Sequence, residues 1–375
     1  MPPTDERLFS KESVANLASL PPERKCSLIN AFWPHFQLEV SDYIEHYYAD
    51  LFNSIGKTLE SLYQFRTDFA IQELESLLET VRKIRTHQAL TKDKLVDEIK
   101  KDHLNVNGDD VVRSVELAAR FWLGINICSR ALSVGPNYPR HSRIEWQHTQ
   151  SLEQLGTALF SQKKSWIPFN EFSLDESFTA VSLKNTCRLH IWWTDNLVDH
   201  LRLRGSRGQR NLSVYRHKIC LVNHSKDPKA VAIEASVLQE AIRTLDLLFP
   251  FGDSKTADFL QSEGVHFYSV APVNPQPFDL GEFTHWRDNL VQLLRLLNGP
   301  PESASQTLFD TRNISQFATL WIAIFGVFGL TILFGILATV YSVKQYRVAL
   351  DAYGLALASA YHEFPDLPKY CRDGQ

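Results

Sequence analysis

A chain of 375 residues with 39 Lys and Arg against 43 Asp and Glu has a net charge of -4, which excludes a general attraction to nucleic acid or anionic lipid, since both need a concentrated positive field. A hydrophobic share of 44% with 11% aromatic residues excludes an unstructured tail and is enough for one large or two ordinary folded domains. The five cysteines, Cys26, Cys128, Cys187, Cys220 and Cys371, are odd in number, scattered and without a CxxC pair, as expected of reduced thiols in a cytosolic compartment. The first 25 residues are charged and hold no apolar core of signal-peptide length, so no export is expected. Sequons at Asn211, Asn223 and Asn313 are close to the number chance gives.

In chain order, Trp33, Phe36, Tyr43, Tyr47 and Phe52 predict a helix with Pro34 in its first turn. Residues 68–90 place Ile71, Leu74, Leu78, Val81 and Ile84 on one stripe, with Thr67 or Asp68 as the cap. A helix over 92–104 should end at the turn 105–108. Asp109 or Asp110 then opens another through Val115, Ala119, Trp122 and Leu123, ending near Gly135-Pro136. The middle changes character. Residues 188–193 and 211–222 are β-branched and aromatic and read as strands, joined by a short helix capped by Thr194-Asp195 and a loop with Gly205 and Gly208. Asp227-Pro228 starts a helix with Ile233, Val237, Ala241, Leu245 and Leu248 inward, and Pro250 stops it. A further helix carries Trp286, Leu290, Leu293, Leu294 and Leu297 before Asn298-Gly299-Pro300-Pro301 breaks it.

The stretch 317–343 then runs 27 residues without a charged side chain. At about 1.5 Å per residue it forms roughly 40 Å of helix against a hydrocarbon core of about 30 Å, so it can cross a bilayer. Trp321 at one end and Tyr341 and Tyr346 at the other fit the aromatic belts. Thr331, Gly335 and Thr339 recur every four residues and form a face of small side chains on which a second copy or a partner membrane helix can pack. The expected fold class is mainly α: a helical cytosolic region with a small α/β, winged-helix-like insert, plus one C-terminal transmembrane helix. Its parts are a helical region 1–150, a mixed region 151–297, a tether 298–316, the span 317–343 and a polar tail 344–375. Arg312 before the span against Lys344 and Arg347 after it would place the tail in the cytosol. A long folded region without an export signal argues for a cytosolic N-terminal side, and this argument is given more weight.

Chemistry-bearing patterns are few. Cys187 with His190 and Cys220 with His224 have the look of a zinc set, but residues three apart on an extended strand point to opposite faces, so no metal or other cofactor is expected. Arg202, Arg204, Arg207, Arg210, Arg216 and Lys218 form a basic hairpin region of the kind a winged-helix protein lays on phosphates. A plain solvated surface is the more common use of such a loop, followed by an acidic partner or anionic lipid headgroups, and nucleic acid is not the expected partner. Asp195, Asp199 and His200 invite an acid/base reading, which helix capping also accounts for. No GxSxG, GxxxxGK[ST], HExxH or GxGxxG pattern occurs, and no catalytic residue is assigned.

The phrase from Trp192-Trp193-Thr194-Asp195-Asn196 to Asp199-His200-Leu201, the run 240–250 and the ending with Arg312-Asn313, Leu330-Thr331, Phe334-Gly335 and Gln345-Tyr346 resemble an uncharacterised family of single-span membrane proteins of filamentous fungi. The resemblance covers about 116–348 and implies a helical region before one span, with no activity to carry over. The span also resembles the first membrane helix of CorA-type magnesium transporters. Those have a Gly-Met-Asn turn and a second span, whereas the sole methionine here is Met1 and 348–361 is too short to cross. The expected function is therefore a membrane-anchored interaction or scaffold protein whose partners are the lipid bilayer and a second copy or another membrane helix. The alternatives are a degenerate CorA-like transporter subunit and a membrane-tethered nucleic-acid-binding module using the basic hairpin.

Overall fold

Apolar residues at helical spacing are realised as helices around one apolar core in the computed structural model of the protein, which describes residues 7–101, 106–128, 142–161, 174–206, 209–229, 231–268, 279–299 and 314–363. The first helices are α1 (Ser13–Ala18), α2 (Pro22–Phe32), α3 (Glu45–Leu62), α4 (Leu74–Thr86), α5 (Lys92–Lys100) and α6 (Gly108–Leu123). Then come α7 (Leu152–Leu159), α8 (Ala180–Cys187) and the strands β1 (His190–Thr194), β2 (Leu203–Ser206) and β3 (Gln209–Tyr215). Helices α9 (Lys218–Ser225), α10 (Ala235–Leu248), α11 (Ser254–Ser262) and α12 (Arg287–Asn298) follow, and α13 (Ile314–Glu363) stands last. The chain divides into two compact units, Met1–Ser303 and Ala304–Gln375.

Where the structure departs from simple periodicity, the backbone has found other hydrogen-bond partners. Helix α4 begins at Leu74 rather than near Asp68, because the N–H groups of Ala70 and Ile71 donate to Ser114 Oγ at 2.8 and 3.2 Å and Gln72 accepts from Leu8 N–H at 2.7 Å. Ile71 is still fully buried, so the stripe was right and the start was not. The helix expected through Trp33 to Phe52 is split. Pro34 opens one 3-10 turn, Gln37 follows with φ 45°, and α3 starts at Glu45. Helix α6 ends at Leu123, not near Gly135, because Gly124 takes φ 61° and its N–H caps Arg120 O at 3.0 Å.

The expected strand 211–222 breaks at Tyr215, and its second half is α9. Residues 219–222 are all buried, so neither face gives a periodic signal that separates strand from helix. The short helix after β1 is a single 3-10 turn, Leu197–Asp199, capped by the Asn196 side chain. Helix α10 starts at Ala235 rather than Asp227, since the Asp227 carboxylate accepts from Lys229 N–H at 3.0 Å and from Arg85 at 2.6 Å and holds a turn there. Helix α13 runs on past Val343 to Glu363, so residues 344–363 continue the helix.

The sheet order is β1-β3-β2. Strand β1 runs parallel to β3 from His190↔Asn211 to Thr194↔Tyr215, and β2 pairs antiparallel to β3 from Leu203↔Leu212 to Ser206↔Gln209. Both parallel strands therefore end at the same edge, which puts Asp195 next to Arg216 and His217. On another side of the first unit, Glu240 of α10 accepts from the N–H groups of Thr284, His285 and Trp286 at 2.8, 2.8 and 2.7 Å and so anchors the start of α12 with a carboxylate from a distant helix.

Candidate functional site

Helix α13 contains the segment Ala318–Ala360, 43 residues, long and apolar enough to cross a membrane. None of its most apolar window is buried within the protein. Thr331 and Thr339 lie on it with their hydroxyls donating back to Val327 O and Gly335 O, both at 2.8 Å, so the threonine polarity is satisfied inside the helix. A side chain at Gly335 would meet nothing within 4 Å.

The basic stretch includes the β2–β3 hairpin, and four of its cations meet carboxylates. Arg202 and Arg204 donate to Asp199 at 3.2 and 3.1 Å, Arg216 to Asp50, and Lys218, 2% exposed, to Asp246 at 2.5 Å. Arg210 is also engaged, and Arg207 lies outside the described residues. The four zinc-like residues are not brought together. Cys187 closes α8, His190 is exposed on β1, and Cys220 and His224 are buried in α9, where His224 Nε2 bonds Trp122 O at 2.7 Å. Among the described residues no three His, Cys, Asp or Glu side chains form a metal-binding group.

The acid/base trio separates too. Asp199 accepts from Ser142 N–H and Oγ at 2.7 and 2.6 Å and from Asn196 at 2.8 Å, besides the two arginines. Burial raises its pKa, but these donors outweigh it and hold the carboxyl below the ordinary range. His200 is fully satisfied. Thr244 donates its hydroxyl to Ala241 O, so His200 Nε2–H must donate to Thr244 Oγ1 at 2.7 Å, and His200 Nδ1 accepts from Tyr215 N–H at 3.2 Å. This is a neutral imidazole of the core, not a proton-transfer group.

Asp195 instead meets a residue 22 positions on: it accepts from His217 Nε2 at 2.7 Å, and from Ser54 of α3. Burial raises its pKa, while the bonds from His217 and Ser54 and the nearby Arg216 guanidinium outweigh that effect and keep the carboxylate ionised. The pair lines a cavity of about 230 Å³ bounded by α3, the end of α6, the carboxyl ends of β1 and β3 and the start of α9. Gly124 shapes one wall, since a Cβ there would come within 2.3 Å of the Tyr215 hydroxyl. Two buried nitrogens beside the cavity, Arg216 Nε and His217 Nδ1, find no hydrogen-bond partner among the described residues. Sequence reading passed over the Asp195–His217 pairing. The signal that could have found it was position: each residue follows one of the two best strand candidates, and parallel strands present their carboxyl ends together.

No family model, curated protein or solved structure matches the chain, so its function must be read from the geometry.

Burial of two neutral histidines predicts acid sensitivity. Desolvation pushes His200 down to about 3 and His224 to about 4, against about 6.5 in the unfolded chain. Below about pH 6.5 the unfolded state binds more protons, so stability falls as pH drops, by about 1.4 kcal/mol per unit for each histidine until its folded pKa is reached. Urea midpoints followed by tryptophan fluorescence from about pH 7 to about pH 5 should fall steeply, and His224→Gln should reduce the slope by about half. A flat profile would show that neither imidazole is buried in its neutral form.

Proposed function

We propose that this chain is a membrane-anchored interaction or scaffold protein, held in a bilayer by the 317–343 part of α13 with the unit Met1–Ser303 on the cytosolic side. The observation that carries the reading is the apolar exposure of α13: Phe325, Phe328 and Phe334 are 65%, 65% and 63% exposed. An apolar face of this extent in water would be a strong aggregation site, and lipid removes that cost. A cytosolic first unit is supported by Cys26, Cys128, Cys187 and Cys220, all free thiols, three of them buried. The face of Thr331, Gly335 and Thr339 is the contact offered to a second copy or a partner helix.

The other readings have less behind them. A two-span CorA-like subunit needs a second apolar helix, whereas among the described residues a single helix, α13, is long and apolar enough to cross. A winged-helix-like nucleic-acid module needs free hairpin cations, whereas Arg202, Arg204, Arg216 and Lys218 already face carboxylates.

The test is extraction of membranes carrying the full chain with alkaline carbonate, followed by proteolysis of sealed vesicles and cross-linking within them. The protein should stay in the pellet, lose its first unit to protease added on the cytosolic side, and give a discrete cross-linked species that Gly335→Ile diminishes. Recovery in the carbonate supernatant overturns the anchor, and a purely monomeric protein overturns the scaffold. Glycan mapping is the poorer orientation test, because Asn223 is 2% exposed and donates to the Tyr48 hydroxyl, which closes that sequon to modification in the folded protein.

A further inference from the structure

The cavity beside Asp195 has a place in the fold and a set of unmet polar groups that the anchor reading does not use. It lies outside the carboxyl ends of β1 and β3, the parallel pair of the sheet, where open α/β arrangements bind their ligands. Its volume of about 230 Å³ is below that of drug-sized pockets and corresponds to a molecule of about ten heavy atoms or fewer.

The charges around it are already answered. Arg216 donates to Asp50, Arg120 at the end of α6 is also engaged, and Lys57 stands exposed to water on α3. Asp195 is ionised and accepts from His217 and Ser54. What remains unmet is hydrogen bonding. A carboxylate only accepts, so the hydrogen of the neutral His217 ring sits on Nε2, and Nδ1 keeps a lone pair for which the described residues offer no donor. The neighbouring Arg216 Nε–H is a donor for which they offer no acceptor. Both nitrogens are buried, and His217 as a whole is 4% exposed, so bulk water does not meet them freely.

This pairing of one acceptor with one donor selects among ligands. A simple anion only accepts and leaves Nδ1 unmet, a simple cation only donates and leaves Arg216 Nε–H unmet, and an apolar group meets neither. A hydroxyl does both through one oxygen. Water shares that property, but it does not cover the apolar wall of Ile55, Phe121 and Trp122 that closes the same cavity. Asp195, 45% exposed, holds two protein partners against about four acceptor positions of a carboxylate, which leaves room for a second ligand hydroxyl.

We propose that this cavity binds a small neutral polyol of about four to five carbons, one hydroxyl bridging His217 Nδ1 and Arg216 Nε–H and a second donating to Asp195. The carbon faces of the polyol lie against the apolar wall. The reading is independent of membrane anchoring and stands or falls separately from it.

The full chain in detergent micelles is titrated calorimetrically with erythritol, xylitol and D-ribose. In parallel it is titrated with 1-butanol, butyrate and butylamine, which keep a four-carbon body but carry a single hydroxyl, carboxylate or ammonium. At least one polyol should bind at or below about 10 mM, with the three controls weaker by about tenfold or more. Arg216→Lys keeps a cation for Asp50 and removes the Nε–H donor, and it should weaken that polyol severalfold. Because this change can also disturb the contact with Asp50, a second reading uses the unaltered protein labelled with 15N-histidine at about pH 8, above the ordinary titration range of imidazole. The polyol should move the His217 Nδ1 signal toward that of His200 Nδ1, which already accepts from Tyr215 N–H, and leave His200 where it is. No binding by any of the three polyols leaves the two nitrogens to water alone and overturns the proposal. Equal binding of a control, an unchanged affinity in Arg216→Lys, or an unmoved His217 Nδ1 signal at a saturating polyol concentration would each overturn it as well.

Discussion

Replacing Glu116 by Ala is expected to destabilise the first unit by about 3–5 kcal/mol, the usual cost of leaving one member of a buried ion pair alone. Lys92 and Glu116 pair with side chains 1% and 0% exposed, and the Lys92 ammonium is completed by Trp146 O at 3.1 Å and the Trp146 ring at 5.6 Å. With the carboxylate gone, that ammonium stays in a dry site, and neither the carbonyl nor the ring balances its charge. The double replacement Lys92→Met with Glu116→Leu should recover most of the loss, because both desolvation costs disappear together while volume is retained. Urea unfolding of the full chain in detergent, followed by tryptophan fluorescence, measures this. A single variant within about 1 kcal/mol of the parent, or a double variant no better than the single, would show that the pair is wet.

The second large effect concerns α13. Leu330→Arg together with Leu333→Arg places two guanidinium groups near the middle of 317–343, each opposing insertion by about 2.5–3.5 kcal/mol at a helix centre. The sum of about 5–7 kcal/mol should move the protein from the carbonate-resistant pellet to the supernatant or into aggregates. The apolar helix is longer than one bilayer thickness, since 43 residues span about 65 Å. A second pair, Leu355→Arg with Leu357→Arg, therefore decides which part lies in lipid. It should leave the protein in the pellet if 317–343 is the span. Release by the second pair and not by the first would move the span toward the C-terminal half of α13.

Much of this architecture is written in short-range pattern. The charge-free run 317–343, the stripe of Leu74, Leu78, Val81 and Ile84, and the run from Val237 to Leu248 are each read from spacing alone, because burying one face of a helix leaves a periodic trace. Strand β1 was legible for a related reason, its β-branched and aromatic content. Ends were harder. The starts of α4 and α10 depend on Ser114 and Arg85, whose contacts lie 43 and 142 residues from the backbone or side chain they engage, and no local window contains such partners.

The candidate site divides in the same way. That a basic hairpin exists could be read from composition, but whether its cations are free depended on Asp50, Asp199 and Asp246, contributed by three separate stretches of chain. Asp195 and His217 were visible as residues, and only the parallel pairing of β1 with β3 makes them neighbours. By itself the sequence determined that the protein carries one lipid-compatible helix and a mainly helical body, since both follow from how apolar side chains are spaced along a few turns. Which charges are neutralised, which histidines are locked neutral, and where a polar cavity opens were decided by the tertiary structure. Electrostatics and hydrogen bonding act between groups brought within a few ångströms, and proximity of that kind is a property of the folded chain.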